Sequence, residues 1–372
     1  MTHSINRIYV PGIDHIRAFA ALLVVFYHGL QLLGTKLSLG VAFDPEKHWL
    51  HSANVLTTIL EEGHSGVGLF IVLSGFVLSL GVIGKEIDYG KFLMARVLRI
   101  YPMMLVCLVA AMSAQPKNTL LLLTYLFPFH SVGVVGSVFI AMFWAVSIEF
   151  QCYLIFPFLN RFANQKGAWY LGAIILIVIL LSYLAVCSEF ANPRDISYQT
   201  LLGRLSQFCI GMIGARLYLR FNWGSLSPWF FLPSAFLTGS VLVLFNKLGG
   251  YPLVSDWKIL WQPFEGVMWG IFIITYLSVA RILPELLSRG LAAFGETTYS
   301  FYLLHFAVLY AIISKQWYVS WSSDGYFNAL LTVLLIVVPV TALIARLTYS
   351  TIELPFLQMR SKYTLPENGG NS

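Results

Sequence analysis

Long apolar runs, separated by short polar segments, follow one another along almost the whole chain. A helix of about 20 mainly apolar residues is long enough to cross the hydrocarbon core of a bilayer. Ten runs are predicted to be such transmembrane helices: residues 12–33, 65–84, 98–114, 138–160, 168–188, 200–219, 229–246, 258–280, 291–314 and 327–350. The run Leu120–Phe129 is too short to span and predicts a re-entrant or interfacial helix.

This pattern predicts an all-α polytopic membrane protein, a bundle of about ten transmembrane helices with one short re-entrant or interfacial helix. Residues 1–360 are predicted to form one transmembrane domain, because no repeat divides them, and residues 361–372 a disordered cytoplasmic tail. Hydrophobic residues make up 58% of the chain and charged residues 11%, whereas about 25% of the residues in soluble domains are charged. The composition therefore excludes an ordinary soluble domain.

Lysine and arginine are distributed unevenly between the two sets of loops. With the N-terminus inside, fourteen of the 23 lysines and arginines lie on the cytoplasmic side and seven on the outer side, with Arg17 and Arg204 inside spans. Cytoplasmic loops are enriched in these residues, so both termini are predicted to be cytoplasmic. This bias also explains the net charge of +6. The expected partner is therefore the lipid bilayer and not a nucleic acid.

The first apolar run contains two ionisable residues, Arg17 and His28, eleven positions apart. Ionisable groups inside a span are unfavourable, so their presence indicates a function. Eleven residues correspond to about 1,100° of helical rotation and about 16 Å of rise. Both side chains are therefore predicted to leave the same face of one helix, Arg17 toward the cytoplasm and His28 toward the outside. A helix face with a fixed cation at one depth of the membrane and a proton-transfer group at another is typical of a pathway.

Other polar residues at membrane depth each have a structural and a functional interpretation. Glu149, with Tyr153 one turn later on the same face, either ties two helices together or works in a site. His305 is either a packing histidine or part of that site. Arg204 either snorkels to the interface or takes part in it. Asp14 is expected to cap the first helix or to pair with the arginine three residues later.

The polar segment between the second and third spans, residues 85–102, carries four cations. Arg96 and Arg99 are two of them, at helical spacing just before a proline. Such a cluster is typical of the positive-inside bias or of contact with anionic lipids. It equally suits binding of the phosphates of a nucleotide-like cosubstrate. The sequence leaves both interpretations open.

Short motifs follow one another in a fixed order from Gly12 to Pro355. They are Arg17 and His28 separated by ten residues, the segments Gly66–Phe76 and Phe92–Pro102, the pattern Trp144, Ser147, Glu149, Tyr153 and Pro157, Arg204 with Gly211, and the segments Tyr299–His305 and Glu353–Pro355. This series resembles the acyltransferase-3 family of integral-membrane O-acyltransferases. The chain departs from the family's usual residues at Ile71, Ala95, Ala145 and Cys152.

The resemblance implies an O-acyltransferase, most often an O-acetyltransferase, of the bacterial inner (plasma) membrane. An acyl group would pass from cytoplasmic acyl-CoA, usually acetyl-CoA, to a hydroxyl of a cell-surface glycan or its lipid-linked precursor, such as an O-antigen or exopolysaccharide. Acyl-CoA is then a cosubstrate, and no bound cofactor or metal is expected. Many relatives carry a further hydrolase-like domain after the membrane domain, and this chain is expected to be the stand-alone form.

The chemistry and the resemblance together assign roles to the residues. His28 and Glu149 are predicted to be catalytic, because imidazole can take a proton from a hydroxyl near neutral pH and a carboxylate, Glu149 or Asp14, would fix its tautomer. Whether His28 is only a base or also carries the acyl group stays open. Arg17, Arg96 and Arg99 are predicted to bind the donor. The predicted supporting or acceptor-side residues are Asp14, Ser147, Tyr153, Arg204, Tyr299 and His305.

Two other functions suit the same sequence. One is acylation of a small molecule or lipid, such as a macrolide, because no residue identifies the acceptor. The other is a proton-coupled transporter in which Arg17, His28 and Glu149 relay protons. The lack of an internal repeat speaks against a transporter. Consumption of acyl-CoA separates the enzymes from the transporter.

Overall fold

The computed structural model describes residues 9–50, 54–127 and 137–365. The regular structure of these residues is helical, apart from one antiparallel bridge between Ile87 and Thr364. The all-α prediction is therefore confirmed. The helices are α1 (Pro11–Leu39), α2 (Val55–Glu61), α3 (Ser65–Val82), α4 (Tyr89–Ala114), α5 (Thr119–Leu123), α6 (Phe143–Lys166), α7 (Trp169–Cys187), α8 (Pro193–Gln199), α9 (Leu201–Arg220), α10 (Phe231–Lys247), α11 (Lys258–Ala280), α12 (Glu285–Glu296), α13 (Thr298–Lys315) and α14 (Gly325–Gln358).

Each of the predicted spans coincides with one or two of these helices, but not all of them are apolar enough to be counted as membrane spans. Among the described residues, seven helices are long and apolar enough to cross a bilayer, or eight if the bent pair α12 and α13 forms one span. The helices α6 and α9 fall short because charged and amide side chains, such as Glu149 and Arg204, lie along them. The protein is a polytopic membrane protein, and the count of ten spans is not confirmed.

The helix α3 packs directly against α9 near the centre of the bundle. Glycines let the two backbones approach closely. A Cβ atom at Gly211 would lie 2.0 Å from the carbonyl oxygen of Val72, and one at Gly75 would lie 2.1 Å from that of Phe208. Small residues at helix interfaces serve this purpose in membrane proteins. The helix α3 also contacts α1, α6 and α11.

The predicted span 291–314 is broken in the structure. The helices α12 and α13 meet at Thr297 with a bend of 68°. Gly295, just before the bend, lies against α1, where a Cβ atom would come within 2.1 Å of the carbonyl oxygen of Asp14. The chain therefore crosses α1 closely at the Asp14 end and then turns, and α13 continues alongside α1 toward His28.

The short run after α4 does not form a spanning helix. It forms α5 and a 3-10 turn, Thr124–Leu126, with Leu120 84% exposed and Tyr125 buried. This length agrees with the predicted re-entrant or interfacial helix, whose last residues, 128 and 129, lie outside the described residues.

The first residues of the predicted tail pack against the loop between α3 and α4. The Asp88 amide donates to the Tyr363 carbonyl at 2.9 Å, and the Leu365 amide donates to the Glu86 carbonyl at 3.1 Å. Residues 366–372 of that tail lie outside the described residues. The chain just after α14 is thereby brought beside α4.

Candidate active site

Two pockets adjoin inside the bundle, and Val67 and Tyr302 line both of them. The arginine pocket is the one lined by Arg17, Arg96, Arg99 and Arg360, and the histidine pocket is the one lined by His28 and His64. Arg17 and His28 both belong to α1 and reach one pocket each. The two ionisable residues of the first apolar run therefore line neighbouring cavities, as their shared helix face predicts.

Guanidinium groups from α1, α4 and the segment after α14 converge on the arginine pocket. The Arg96 guanidinium lies 5.3, 5.6 and 5.7 Å from the ring centroids of Phe92, Tyr153 and Tyr363. Its Nε atom is buried and has no hydrogen-bond partner within the described residues. A planar cation between aromatic rings with a free donor is suited to binding an oxyanion.

Arg360 is a member of this pocket that the sequence did not single out. Its Nε donates to the Leu357 carbonyl at 2.8 Å. Burial, together with the nearby positive charges of Arg99 and Arg96, lowers the pKa of Arg360 to about 10. The group still carries its charge at neutral pH, so Arg360 adds a further cation to the arginine pocket. Its position five residues after the Glu353–Pro355 motif was the only available signal.

Glu149 faces the arginine pocket from α6. Its Oε1 accepts hydrogen bonds from the hydroxyl of Tyr153, one turn later, and from that of Ser74 on α3 at 3.3 Å. Two hydroxyl donors and the surrounding arginines stabilise a carboxylate at this depth. No hydrogen bond joins Glu149 or Asp14 to His28, so the expectation that one of these carboxylates fixes the His28 tautomer was wrong.

A second histidine takes that role. His28 Nδ1 lies 2.9 Å from His305 Nε2, and His305 Nδ1 lies 2.6 Å from the carbonyl oxygen of Tyr302. A carbonyl can only accept, so His305 Nδ1 carries the hydrogen and His305 Nε2 has a lone pair. With neutral rings, His28 Nδ1 donates to that lone pair. His28 Nε2 is then left without hydrogen, which is the form a base or a nucleophile needs.

Arg204 does not snorkel to an interface. It is 1% exposed, and its guanidinium donates to the Tyr198 carbonyl at 3.0 Å and to Gln262 at 2.8 Å, with Glu265 at 3.7 Å. The carboxylate of Glu265 also accepts from Gln207 at 2.6 Å. This buried network ties α9 to α11 and brings Arg204 to the wall of the histidine pocket.

The remaining predicted residues differ in their distance from the pockets. Tyr299 lines the arginine pocket and donates to the Ile100 carbonyl at 2.8 Å. Asp14 is the partner of Arg17, with Arg17 Nη1 2.5 Å from Asp14 Oδ1, as its structural interpretation predicts. Ser147 is buried on α6 and lines neither of the two pockets.

The sequence did not predict two residues at the histidine pocket, the lining residue His64 and its partner Glu62. Glu62 and His64 lie in the short connection between α2 and α3, where their Oε2 and Nε2 atoms are 2.7 Å apart. Both stand at the margin of an apolar run, and a polar residue there is usually a solvated loop residue. The signal available was the sequence Glu62-Gly-His64 directly before the Gly66–Phe76 motif.

The described residues contain no group of three or more His, Cys, Asp or Glu side chains arranged to hold a metal ion.

Residues 10–349 match the sequence model of the acyltransferase-3 family, which is described as an acyltransferase domain.

Curated relatives are distant but similar over most of the chain. The O-acetyltransferase OatA of Staphylococcus aureus is 24% identical over 393 residues, which cover 93% of this chain and 57% of that protein. The protein ORF330 of Acidianus two-tailed virus, which is named as an acetyltransferase, is 24% identical over 310 residues, 81% of this chain and 84% of its own. This chain thus spans little more than half the length of the staphylococcal relative. No solved structure matches.

Proposed function

This chain belongs to the acyltransferase-3 family, and from that premise we propose that it is an acyl-CoA-dependent O-acetyltransferase of the bacterial inner membrane. The proposed acceptor is a hydroxyl of a cell-surface glycan or of its lipid-linked precursor. The observation that carries the proposal is the junction of the two pockets. A cluster of arginines and a histidine with a free Nε2 lone pair face adjoining cavities, which share the lining residues Val67 and Tyr302.

The arginine pocket is suited to the donor. Coenzyme A carries several phosphate groups, and arginine binds phosphate oxygens through planar, charge-assisted pairs of hydrogen bonds. Arg17, Arg96 and Arg99 are therefore assigned to the donor, joined by Arg360. The positive-inside bias predicts that these arginines lie toward the cytoplasm, and on that prediction the donor would enter from the cytoplasm.

Glu149 and Tyr153 then act on the donor side and not as partners of His28. The carboxylate is bonded to the hydroxyls of Tyr153 and Ser74, and the Tyr153 ring lies under the Arg96 guanidinium. We assign to Glu149 the task of holding these groups in position, so that the thioester reaches the junction of the pockets.

The histidine pocket is suited to a sugar. Tyr27, Trp144 and Tyr251 line it together with polar side chains such as Gln199. Aromatic rings with a polar edge can pack against the apolar faces of a sugar ring while neighbouring polar groups bond to its hydroxyls. The hydroxyl proton goes to an imidazole, the hydroxyl oxygen becomes bonded to the acyl carbon, and the carbon–sulfur bond breaks to release coenzyme A thiolate.

The test uses the purified protein in lipid nanodiscs with radiolabelled acetyl-CoA and a lipid-linked saccharide fraction. The expected result is release of free coenzyme A thiol with label in the saccharide. Label that enters only lipids or a macrolide would reassign the acceptor and support the alternative enzyme. Proton movement across proteoliposomes without any thiol release would contradict an acyltransferase and favour a transporter.

A further inference from the structure

The histidine pocket is lined by another histidine besides His28, namely His64, which contacts a buried carboxylate. His64 Nε2 is 2.7 Å from Glu62 Oε2. The other carboxylate oxygen, Oε1, accepts from Asn246 Nδ2 at 2.7 Å and from Trp49 Nε1 at 3.4 Å. The Glu62 side chain is 0% exposed. Three nitrogen atoms therefore surround a carboxylate that solvent does not reach.

These contacts determine which nitrogen of His64 carries a hydrogen. The two N–H donors on Oε1 favour the ionised carboxylate, and an ionised carboxylate can only accept hydrogen bonds. His64 Nε2 therefore carries the hydrogen, and Nδ1 has the lone pair. His64 Nδ1 is buried and has no hydrogen-bond partner in the part of the chain that the structure describes. Buried polar atoms without a partner are rare, so this one suits a ligand atom that donates.

His64 and His28 line the same pocket, and the ring of Tyr27 is a neighbour of both. The Tyr27 ring centroid is 4.8 Å from that of His28 and 5.5 Å from that of His64. Gln31, three residues after His28, also lines this pocket, and both polar atoms of its buried amide lack partners among the described residues. An imidazole lone pair and an amide donor and acceptor that line one pocket match a ligand rich in hydroxyl groups.

We propose that His64 is the acceptor-side base of a two-step acyl transfer in which His28 carries the acyl group, an inference that rests on the proposed function. The reason for two histidines is chemical. Once His28 Nε2 is bonded to an acyl carbon, it has no lone pair left to take the proton of the acceptor hydroxyl. A separate base must do so, and the Nδ1 atom of His64 supplies its lone pair in the same pocket.

In the first step, His28 Nε2 attacks the thioester carbonyl carbon, a carbon–nitrogen bond forms, and the carbon–sulfur bond breaks. The thiolate leaves on the side of the arginine pocket, while the proton on His28 Nδ1 stays in its hydrogen bond to His305. In the second step, the acceptor oxygen attacks the acyl carbon, and the electron pair of the carbon–nitrogen bond returns to His28 Nε2. The hydroxyl proton passes to His64 Nδ1, whose imidazolium Glu62 stabilises. That proton is then lost to water, and the thiolate gains one on its own side.

The experiment is a single-turnover measurement on the nanodisc-embedded full chain with radiolabelled acetyl-CoA. Without acceptor, the wild type is expected to release about one thiol per active site and to retain the label in a hydroxylamine-sensitive form, the burst behaviour of covalent catalysis. Added saccharide should then remove the label from the protein. His64→Gln is expected to keep the burst and to slow removal of the label by about 10²–10⁴-fold.

Glu62→Gln tests the positioning role of that carboxylate, and it is expected to keep the burst and to slow label removal less than His64→Gln does. The matched control is His48→Gln, because His48 lines neither pocket and its Nδ1 only accepts from the Asp44 amide at 3.0 Å. This control should show wild-type burst and wild-type removal. The thermal stability of each variant is measured in detergent. If His64→Gln does not fold, the thiol burst and the rate of label removal of Glu62→Gln are the measurements that test the proposal.

Several outcomes would overturn the proposal. Wild-type label removal by folded His64→Gln would show that His64 is not the base, and loss of both burst and removal would show that it acts before acyl transfer to His28. Thiol release by the wild type only when acceptor is present, with no label on the protein, would exclude His28 as carrier. Absence of thiol release under every condition would instead contradict the proposed function itself, so the two failures are distinguishable.

Discussion

At the scale of single residues, the arginines of the arginine pocket are not interchangeable with other cations. Arg17 is bonded to Asp14 at 2.5 Å and still lines the pocket. A guanidinium can serve a carboxylate and a phosphate at the same time, because its five N–H donors lie in a rigid plane. A lysine has one ammonium group and cannot reproduce that geometry.

We therefore expect Arg17→Lys to lose activity although it keeps the charge. The loss of one charged hydrogen bond, about 1.5–3 kcal/mol, corresponds to roughly a 10- to 100-fold fall in kcat/KM for acyl-CoA. Steady-state thiol release measures it. Arg289→Lys is the matched control, since Arg289 is an exposed partner of Glu285 on α12. Equal activity of both variants would show that only the charge of Arg17 matters.

Arg96, Arg99 and Arg360 are expected to contribute mainly to donor affinity. Replacing any one by Gln should raise KM for acyl-CoA about tenfold or more with a smaller fall in kcat, because phosphate binding is similar in the ground and transition states. Because Arg360 lines the arginine pocket, acyl-CoA is also expected to raise the melting temperature of the wild type more than that of Arg360→Gln. Variants that keep donor affinity but fail to insert correctly would instead assign Arg96 and Arg99 to membrane topology.

At the scale of elements, the apolar runs were sufficient to predict the positions of the long helices, because a bilayer leaves a long apolar segment few alternatives. The short helices α2 and α8 were not predicted. The apolar runs also could not predict the bend at Thr297. That bend lies just after the close approach of Gly295 to the backbone of Asp14, a contact between distant parts of the chain. The contact of α3 with α9 through Gly75 and Gly211 is of the same kind, since only the partner helix explains those glycines.

Gly211→Ala is expected to destabilise the bundle. Its added Cβ would lie 2.0 Å from the Val72 carbonyl oxygen, so α3 and α9 would have to separate. Overpacking of this kind typically costs about 1–3 kcal/mol. Gly172→Ala on α7 is the control, because its added Cβ would have no neighbour within 4 Å beyond its own stretch of helix. Melting temperatures in detergent compare the two, and a Gly211→Ala melting temperature equal to that of the control would contradict the packing account.

At the scale of the whole molecule, the sequence selected residues that the structure brings to one pocket, but it did not predict their contacts. Arg17, Arg96, Arg99 and Glu149 do line one pocket, and spacing and motif order were enough to select them. The partner of His28 was not predictable, because His305 is 277 residues away and helix packing alone brings them together. The pair Glu62 and His64 was missed because it lies between helices, where periodicity carries no information.

The proposed topology makes a prediction for the molecule as a whole. A reporter inserted after Lys362 should be active only as a cytoplasmic reporter, and one inserted near Lys47 only as a periplasmic reporter. Activity assays with paired alkaline phosphatase and green fluorescent protein fusions measure this. A cytoplasmic Lys47 loop would reverse the assignment of the arginine pocket to the donor side.

The acyl-transfer rate of purified His28→Ala tests whether His28 reacts with the substrates. The variant should insert normally, since removing an imidazole makes a span more apolar. It should transfer acetyl groups from acetyl-CoA to the saccharide at least about 10²–10⁴-fold more slowly than the wild type, the usual effect of losing a general base, and more slowly still if His28 carries the acyl group. A near wild-type rate would contradict the account, because His28 would then be a packing residue and the reacting groups would lie elsewhere, around Glu149 and His305.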